Sequence, residues 1–191
     1  MTTGYSKLLI ADYFARALYF LQTGKSELSL QEFDKALKFN PNFWEAYFWE
    51  ALAYSNTYKI LDYVKVIEYL SKAVSLNPGK ERPDLIRHLG SAYSNAGFHD
   101  KAVYFYQEAF KLDYDSISFF NSLALEEFNL QNFEKQEEYI RRALVLDPDN
   151  VNIKKELGEA LMHQGKYKES LKYFENYFPI HEKSIKDLST G

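Results

Sequence analysis

A ladder of small residues recurs along this chain, and its usual period is 34 residues. In its most complete form Gly90 is followed by Ala102 twelve residues later, and by Ala109 after seven more. The ladder appears four more times, complete or in part, as Ala17/Ser29/Ala36, Ala51/Ala73, Ala124/Ala143 and Gly158/Ser170. A fixed period of this length is typical of stacked arrays, in which each repeat buries its apolar face against its neighbours.

Alignment on the ladder divides the chain into five repeats, preceded by an extension of the first helix (1–9) and followed by a tail (185–191). The repeats span 10–43, 44–80, 83–116, 117–150 and 151–184. Apolar residues three and four apart predict two amphipathic helices in each repeat, A and then B. In the third repeat, helix A should run from Pro83 to Asn95 and helix B from about Asp100 to Leu112.

Glycines and prolines mark the ends of these helices. Gly24, Gly97 and Gly165 fall between helices A and B, where the chain reversal can need a positive φ. Asn40-Pro41, Asn77-Pro78 and Asp147-Pro148 should end three B helices, because proline disfavours helix at the residue before it. The ladder residues themselves let helices A and B approach closely, so a larger residue at Gly90 or Ala109 should cost about 1–3 kcal/mol.

Composition narrows the classes of protein that fit. Apolar residues make up 46% of the 191 and aromatic residues 17%, which excludes a disordered chain. The net charge is −4 and there is no basic block, which argues against nucleic-acid binding. Because there are no cysteines, disulfides, thiolate nucleophiles and cysteine metal sites are excluded. We find no signal peptide and no apolar run long enough for a membrane span, so we expect a soluble cytoplasmic protein.

The ladder and the residues around it resemble the tetratricopeptide repeat family. The best match is in the third repeat, and the resemblance covers about residues 10–180; its residues are Ile86, Leu89, Gly90, Tyr93, Ala102, Tyr106 and Ala109. The resemblance implies an all-α fold, a right-handed superhelical solenoid of five helix-turn-helix repeats in which the A helices line a concave groove. It also implies a non-catalytic protein- or peptide-binding adaptor or assembly scaffold.

In the family, the groove is formed by positions 2, 5, 6, 9, 12 and 13 of each helix A. Transferred to this chain, the apolar candidates are Phe14, Leu18, Phe48, Trp49 and Leu52, and the polar ones are Arg87, His88, Asn95 and Asn121. The last two repeats contribute Ser118, Asn121, Ser122, Leu125, Phe128, Asn129, Asn152, Lys155, Glu156, Glu159, Met162 and His163. The implied groove is therefore apolar at its N-terminal end, polar in the middle and charged at its C-terminal end.

Three explanations of the apolar groove end remain open at this point. It is an anchor site for a partner's side chains, it is covered by residues 1–9 or 180–191 of the chain itself, or it lies at a homodimer seam. One known ligand mode of the family, capture of a chaperone's C-terminal carboxylate, does not fit. No three successive repeats supply the required lysine, asparagine and arginine set, and Glu156 would repel a carboxylate.

Other charged residues favour structural roles. Arg16 and Glu50 occupy equivalent positions of successive A helices, which suggests a partly buried ion pair between the first two repeats. The adjacent acids Glu126-Glu127 and Glu137-Glu138 are expected on solvated faces. The histidines have no ligand-type spacing, and no phosphate loop or nucleophile motif occurs, so we expect no metal, no cofactor and no enzymatic activity.

The two ends of the array are apolar. Leu8, Leu9, Ile10, Tyr13 and Phe14 begin a helix that is apolar almost all round, and Tyr173, Phe174, Tyr177 and Phe178 close the last repeat. Terminal repeats lack a neighbour and need a polar outer face. We therefore predict that another chain covers one of these ends, most simply in a homodimer. Self-assembly through such surfaces is the alternative function, with homo-oligomerisation in place of ligand binding.

Overall fold

The computed structural model describes residues 4–55, 62–77, 82–112 and 117–174. Every regular element within these ranges is an α-helix, as the sequence predicts. In chain order they are α1 (Gly4–Gln22), α2 (Ser26–Phe39), α3 (Trp44–Ser55), α4 (Tyr63–Leu76), α5 (Pro83–Asn95), α6 (His99–Leu112), α7 (Ile117–Asn129), α8 (Phe133–Leu146), α9 (Val151–His163) and α10 (Tyr167–Phe174). Among the described helices, none is long and apolar enough to cross a bilayer.

The helices pack as consecutive pairs: α1 with α2, α3 with α4, α5 with α6, α7 with α8, and α9 with α10. The chain divides into two compact bodies, with the boundary between Leu112 and Asp113. The N-terminal body contains the first three pairs, and α2 packs on α3 and α4 on α5 there. The C-terminal body contains the last two pairs, joined by contacts between α8 and α9. An all-α fold of helix-turn-helix repeats is thus confirmed.

The reversals within the first, third and fifth helix pairs share one geometry. Gly24, Gly97 and Gly165 have φ of 74°, 80° and 74°, which confirms the need for glycine there. The next residue closes the turn; for example, the Phe98 amide donates to the Tyr93 carbonyl at 2.9 Å. The fourth pair has no glycine at this point, and Gln131 adopts φ 60° instead. Because this turn lacks glycine, the glycine signal in the sequence does not predict it.

Small residues lie where paired helices come closest. A Cβ atom added to Gly90 would be 2.9 Å from Cδ1 of Tyr106, and one added to Gly158 would be 3.1 Å from Cζ of Phe174. The ladder serines do more than save space, because the buried Ser170 hydroxyl donates to the Gly158 carbonyl at 2.8 Å. Ser29 donates in the same way to the Ala17 carbonyl, at 2.9 Å. These contacts explain the ladder physically.

Helix ends agree with the proline signals. Helix α2 ends at Phe39 before Asn40-Pro41, and α8 ends at Leu146 before Asp147-Pro148. Helix α4 ends at Leu76, and Pro78 itself lies outside the described residues. The boundaries proposed for the five repeats and the tail stay a prediction. The predicted tail (185–191) and the apolar residues Tyr177 and Phe178 of the last repeat also fall outside the described residues.

Two electrostatic expectations are wrong. Arg16 does not pair with Glu50; it forms an ion pair with Glu32 of α2 and a longer one, 3.4 Å, with Asp12. The Arg16 guanidinium is half exposed and pairs with carboxylates of its own helix pair. Glu50 is buried on α3 without this partner. The pair Glu126-Glu127 is likewise not on a solvated face, since both side chains are about 1% exposed. The amide of Asn132 donates to Glu127 at 2.9 Å.

The second acidic pair, Glu137-Glu138, is divided between two environments. Glu138 is exposed and pairs with Arg142 at 2.6 Å. Glu137 instead accepts hydrogen bonds from Arg141, Gln164 and Lys166 at 2.7–2.9 Å. Because Gln164 and Lys166 follow α9, this carboxylate ties α8 to the turn between α9 and α10.

Candidate functional site

Three of the apolar groove candidates belong to one cluster in the N-terminal body. Phe14, Leu18 and Trp49 pack against a buried core of Ala17, Phe33 and Ala46. The Phe14 ring centroid is 5.8 Å from that of Phe33. These side chains are half-buried, so their inner parts belong to the core of the protein and only their outer parts face solvent. Substitutions here will therefore affect the stability of the fold.

The next candidates join α3 to α5. The Phe48 ring lies 5.5 Å from Trp49 and 5.3 Å from His88. Burial, followed by the nearby Arg87, lowers the pKa of His88, while Asp84 acts in the opposite direction. His88 is therefore held as a neutral aromatic-like partner of Phe48 at neutral pH. Of the remaining candidates, Leu52 and Arg87 are half-buried and Asn95 is exposed.

Asn121, the last predicted residue, is in the C-terminal body and lines a cavity of about 410 Å³. Residues of α7, α8 and α9 line the cavity. The lining residues are Asn121, Ala124, Leu125, Phe128, Gln136, Ile140, Glu156, Glu159 and His163. Six of the nine occupy inner-face positions that the family resemblance assigned to the last two repeats. The cavity therefore coincides with part of the groove that the resemblance implies.

Two amides in this cavity have unused hydrogen-bonding capacity. Oδ1 of Asn121 and Oε1 of Gln136 are both buried and have no hydrogen-bond partner. A buried acceptor without a donor costs about 1–3 kcal/mol, so such atoms are uncommon and usually have an explanation. A ligand that donates hydrogen bonds would remove this cost.

Acidic groups complete the polar side of the cavity. Glu156 and Glu159 both project from α9, and Glu159 pairs with Lys155 at 3.4 Å. Burial, followed by repulsion from Glu159, raises the pKa of Glu156, and Lys155 only partly offsets this. The cavity is thus a place where a positive charge would be favoured and a further negative charge disfavoured.

An aromatic group forms the opposite side. The His163 ring stacks on Phe133, with centroids 5.0 Å apart and planes 14° apart. Phe128 lies 5.5 Å from His163 and lines the cavity while remaining 39% exposed. Phe128, Leu125 and Ile140 give the cavity an apolar wall.

The inner-face positions predicted from the sequence do not include Gln136, although the sequence carries a signal for it. The ladder position occupied by Ser29, Ala102 and Ser170 in other repeats is occupied by Gln136 in the fourth. A long amide where a small residue is usual indicates that α8 sends a polar group toward the inner face. Only the tertiary structure shows that Gln136 lines the same cavity as Asn121 and Glu156.

The described residues contain no group of three or more histidine, aspartate or glutamate side chains that could hold a metal ion. The chemistry visible in the cavity is that of binding: apolar contact, hydrogen-bond acceptance and negative charge.

Comparison with known proteins agrees with this architecture. A family model described as tetratricopeptide repeat matches residues 14–55 and 121–180, more than half of the chain. No curated protein sequence matches. Among solved structures, the MamA protein has a TM-score of 0.79 at 22% identity, over 93% of this chain and 94% of that one. YrrB, described as a TPR protein with an unusual peptide-binding site, has a TM-score of 0.73 at 17% identity, over 99% and 100%.

A third similar structure is PilF of Pseudomonas aeruginosa, with a TM-score of 0.66 at 18% identity, over 89% of this chain and 75% of that one. At these identities the solved structures show a shared fold and nothing further. The match of the family model, the glycine-marked reversals and the small-residue contacts between paired helices lead to one conclusion. The chain belongs to the tetratricopeptide repeat family.

Proposed function

We propose that the protein is a non-catalytic adaptor or assembly scaffold that binds a protein or peptide ligand along the inner faces of its A helices. The observation that carries this proposal is the cavity between α7 and α9. It combines an apolar wall of Leu125, Phe128 and Ile140 with unpartnered amide oxygens. Grooves that recognise peptides need both components, because apolar side chains supply affinity and polar groups fix orientation. YrrB, a protein of the same fold, is described as having a peptide-binding site, which is consistent with this use.

The N-terminal body offers a second part of the ligand surface. Trp49 and Phe48 are half-buried, and their rings are 5.5 Å apart. Large aromatic side chains that are partly covered by their own core lose little freedom on binding, which makes them good anchors. We propose that they contact apolar side chains of the same ligand class.

The test is a selection from a library of random peptides displayed on phage, with the full chain as bait. Selected peptides are then measured by fluorescence anisotropy against Phe128→Ala, Trp49→Ala and a matched control. Val145→Ala is the control, because Val145 is 78% exposed on α8 and does not line the cavity. We expect Phe128→Ala or Trp49→Ala to weaken binding by at least about tenfold and Val145→Ala by less than about twofold.

Failure to select any peptide would overturn the proposal, and so would equal losses in Phe128→Ala and Val145→Ala. Because Trp49 packs on the core, its variant is compared with the wild type only after thermal unfolding shows that it is folded.

Self-association is a second candidate, favoured by the surface of α1. Tyr5, Leu8 and Tyr19 are 71%, 69% and 58% exposed, which is unusual for large apolar side chains on one helix. Light scattering on the wild type and on Leu8→Glu tests it. A dimer that becomes a monomer in Leu8→Glu would support self-association, and a wild type that is monomeric at tens of micromolar would contradict it. Trp49→Ala should leave this mass unchanged if the aromatic cluster serves ligand binding alone.

A further inference from the structure

The cavity between α7 and α9 contains hydrogen-bond acceptors in excess of donors. Oδ1 of Asn121 and Oε1 of Gln136 accept no hydrogen bond. Both oxygens are buried, so each amide must rotate for its oxygen to meet a ligand donor in the cavity. The carboxylates of Glu156 and Glu159 add further acceptors.

The charges at the cavity are also unbalanced. Lys155 pairs with Glu159 at 3.4 Å, and Glu156 forms no ion pair with any residue in the described ranges. The burial that raises the pKa of Glu156 shows that its charge is incompletely compensated by its surroundings. A ligand that brings a positive charge with several donors would satisfy the carboxylate and the two amides together.

The apolar side of the cavity restricts the shape of that group. The side chain of Phe128 lines the cavity and is 39% exposed, so part of it is accessible to a ligand. A flat cation can stack on such a ring while its edge donates hydrogen bonds to the acceptors beside it.

We propose that this cavity binds the guanidinium group of an arginine side chain carried by a peptide ligand. The inference rests on the peptide-binding role proposed above and specifies one ligand group for it. Arginine fits better than lysine, because its five N–H donors lie in one plane and match acceptors spread over α7, α8 and α9. An acidic ligand group is disfavoured, because Glu156 and Glu159 would repel it.

The test uses a small probe, so that it does not depend on knowing the natural peptide. N-acetyl-arginine amide is titrated into the ¹⁵N-labelled full chain, and amide chemical shifts are followed by NMR. N-acetyl-citrulline amide is the matched probe, because it has the same shape and no charge. We expect arginine-induced shifts at residues of α7, α8 and α9 around the cavity, with a millimolar dissociation constant. The citrulline probe should bind at least about tenfold more weakly, because hydrogen bonds to charged groups are the stronger ones.

Two variants locate the contact. Glu156→Gln should weaken the arginine probe at least about fivefold, because it removes the uncompensated carboxylate and keeps the shape of the side chain. Glu134→Gln, an exposed residue of α8 that does not line the cavity, should leave binding within about twofold of the wild type. The NMR spectra themselves show whether each variant is folded.

Equal binding of the two probes would overturn the inference. So would arginine-induced shifts that lie away from the cavity, or that persist unchanged in Glu156→Gln. These results are distinct from a failure of the proposed function. Peptides selected from the library with no need for arginine would leave the adaptor role in place and remove only the arginine site. A library that yields no peptide would remove the adaptor role, while the probe titration still decides what the cavity binds.

Discussion

Replacing Glu50 by glutamine should raise the free energy of unfolding at neutral pH. The gain should shrink as the pH falls toward 4.5, where it no longer contains a contribution from ionisation of Glu50. Glu50 lies on α3 with about 1% of its surface exposed, and its Oε2 atom has no hydrogen-bond partner. Burial, with a smaller contribution from Asp34, raises the pKa of Glu50 to about 8, from the ordinary value of 4.5. The folded protein therefore keeps this carboxyl protonated at a pH where the unfolded chain ionises it.

The size and sign of the effect follow from proton linkage. A pKa raised in the folded state contributes stability that is fully present below pH 4.5 and is lost as the pH rises to about 8. Each pH unit between these values costs about 1.4 kcal/mol, so the loss is about 3 kcal/mol at pH 7 and about 5 kcal/mol above pH 8. Glutamine is uncharged at every pH and removes this dependence.

The assay is urea unfolding followed by circular dichroism at several values from pH 4.5 to pH 8.5. The quantity of interest is the difference in unfolding free energy between Glu50→Gln and the wild type, because other titrating groups cancel in it. This difference should increase with pH by several kcal/mol. The difference between Glu50→Met and the wild type should show the same dependence on pH. Glu68→Gln, an exposed residue of α4, should show a constant difference. A Glu50→Gln difference that is the same at pH 4.5 and pH 8.5 would refute the reasoning.

Three further predictions concern stability. Burial alone would raise the pKa of Glu137, but hydrogen bonds from Lys166, Arg141 and Gln164 outweigh it and lower the pKa to about 2. The free energy of unfolding of the wild type should therefore fall as the pH is lowered from 4.5 toward 2. Glu137→Gln should be less stable than the wild type by about 2 kcal/mol at pH 7, and its free energy of unfolding should fall less on acidification. Gly90→Ala should lower the free energy of unfolding by about 1–3 kcal/mol in urea, because the new Cβ would be 2.9 Å from the Tyr106 ring; an unchanged urea midpoint would contradict the close contact. Gln131→Gly should raise the unfolding temperature, with a gain of about 0.5–1 kcal/mol, because φ is 60° there; a lower temperature would show that the glutamine side chain compensates for its backbone.

Part of the candidate site could be predicted from the sequence. The inner-face positions of the last two repeats included Asn121, Leu125, Phe128, Glu156, Glu159 and His163, all of which line the cavity. Their convergence could not be predicted, because it depends on how closely α7 approaches α9 and on the amide that α8 adds between them. The role of Asn121 and Gln136 as unpartnered acceptors is a property of three-dimensional packing, since any amide in a sequence has the same capacity for hydrogen bonds.

Local signals were sufficient for the helices and their reversals. Glycine at positive φ, proline after a helix and small residues at a fixed period act on the backbone within a few residues or on the nearest helix, so the sequence expresses them directly. The partners of charged side chains were decided by tertiary structure. Arg16 pairs with Glu32 where sequence position suggested Glu50, and Glu126 and Glu127 are buried where their charge suggested exposure. Whether a carboxylate is solvated or desolvated depends on what all the neighbouring helices place around it, and no local pattern contains that information.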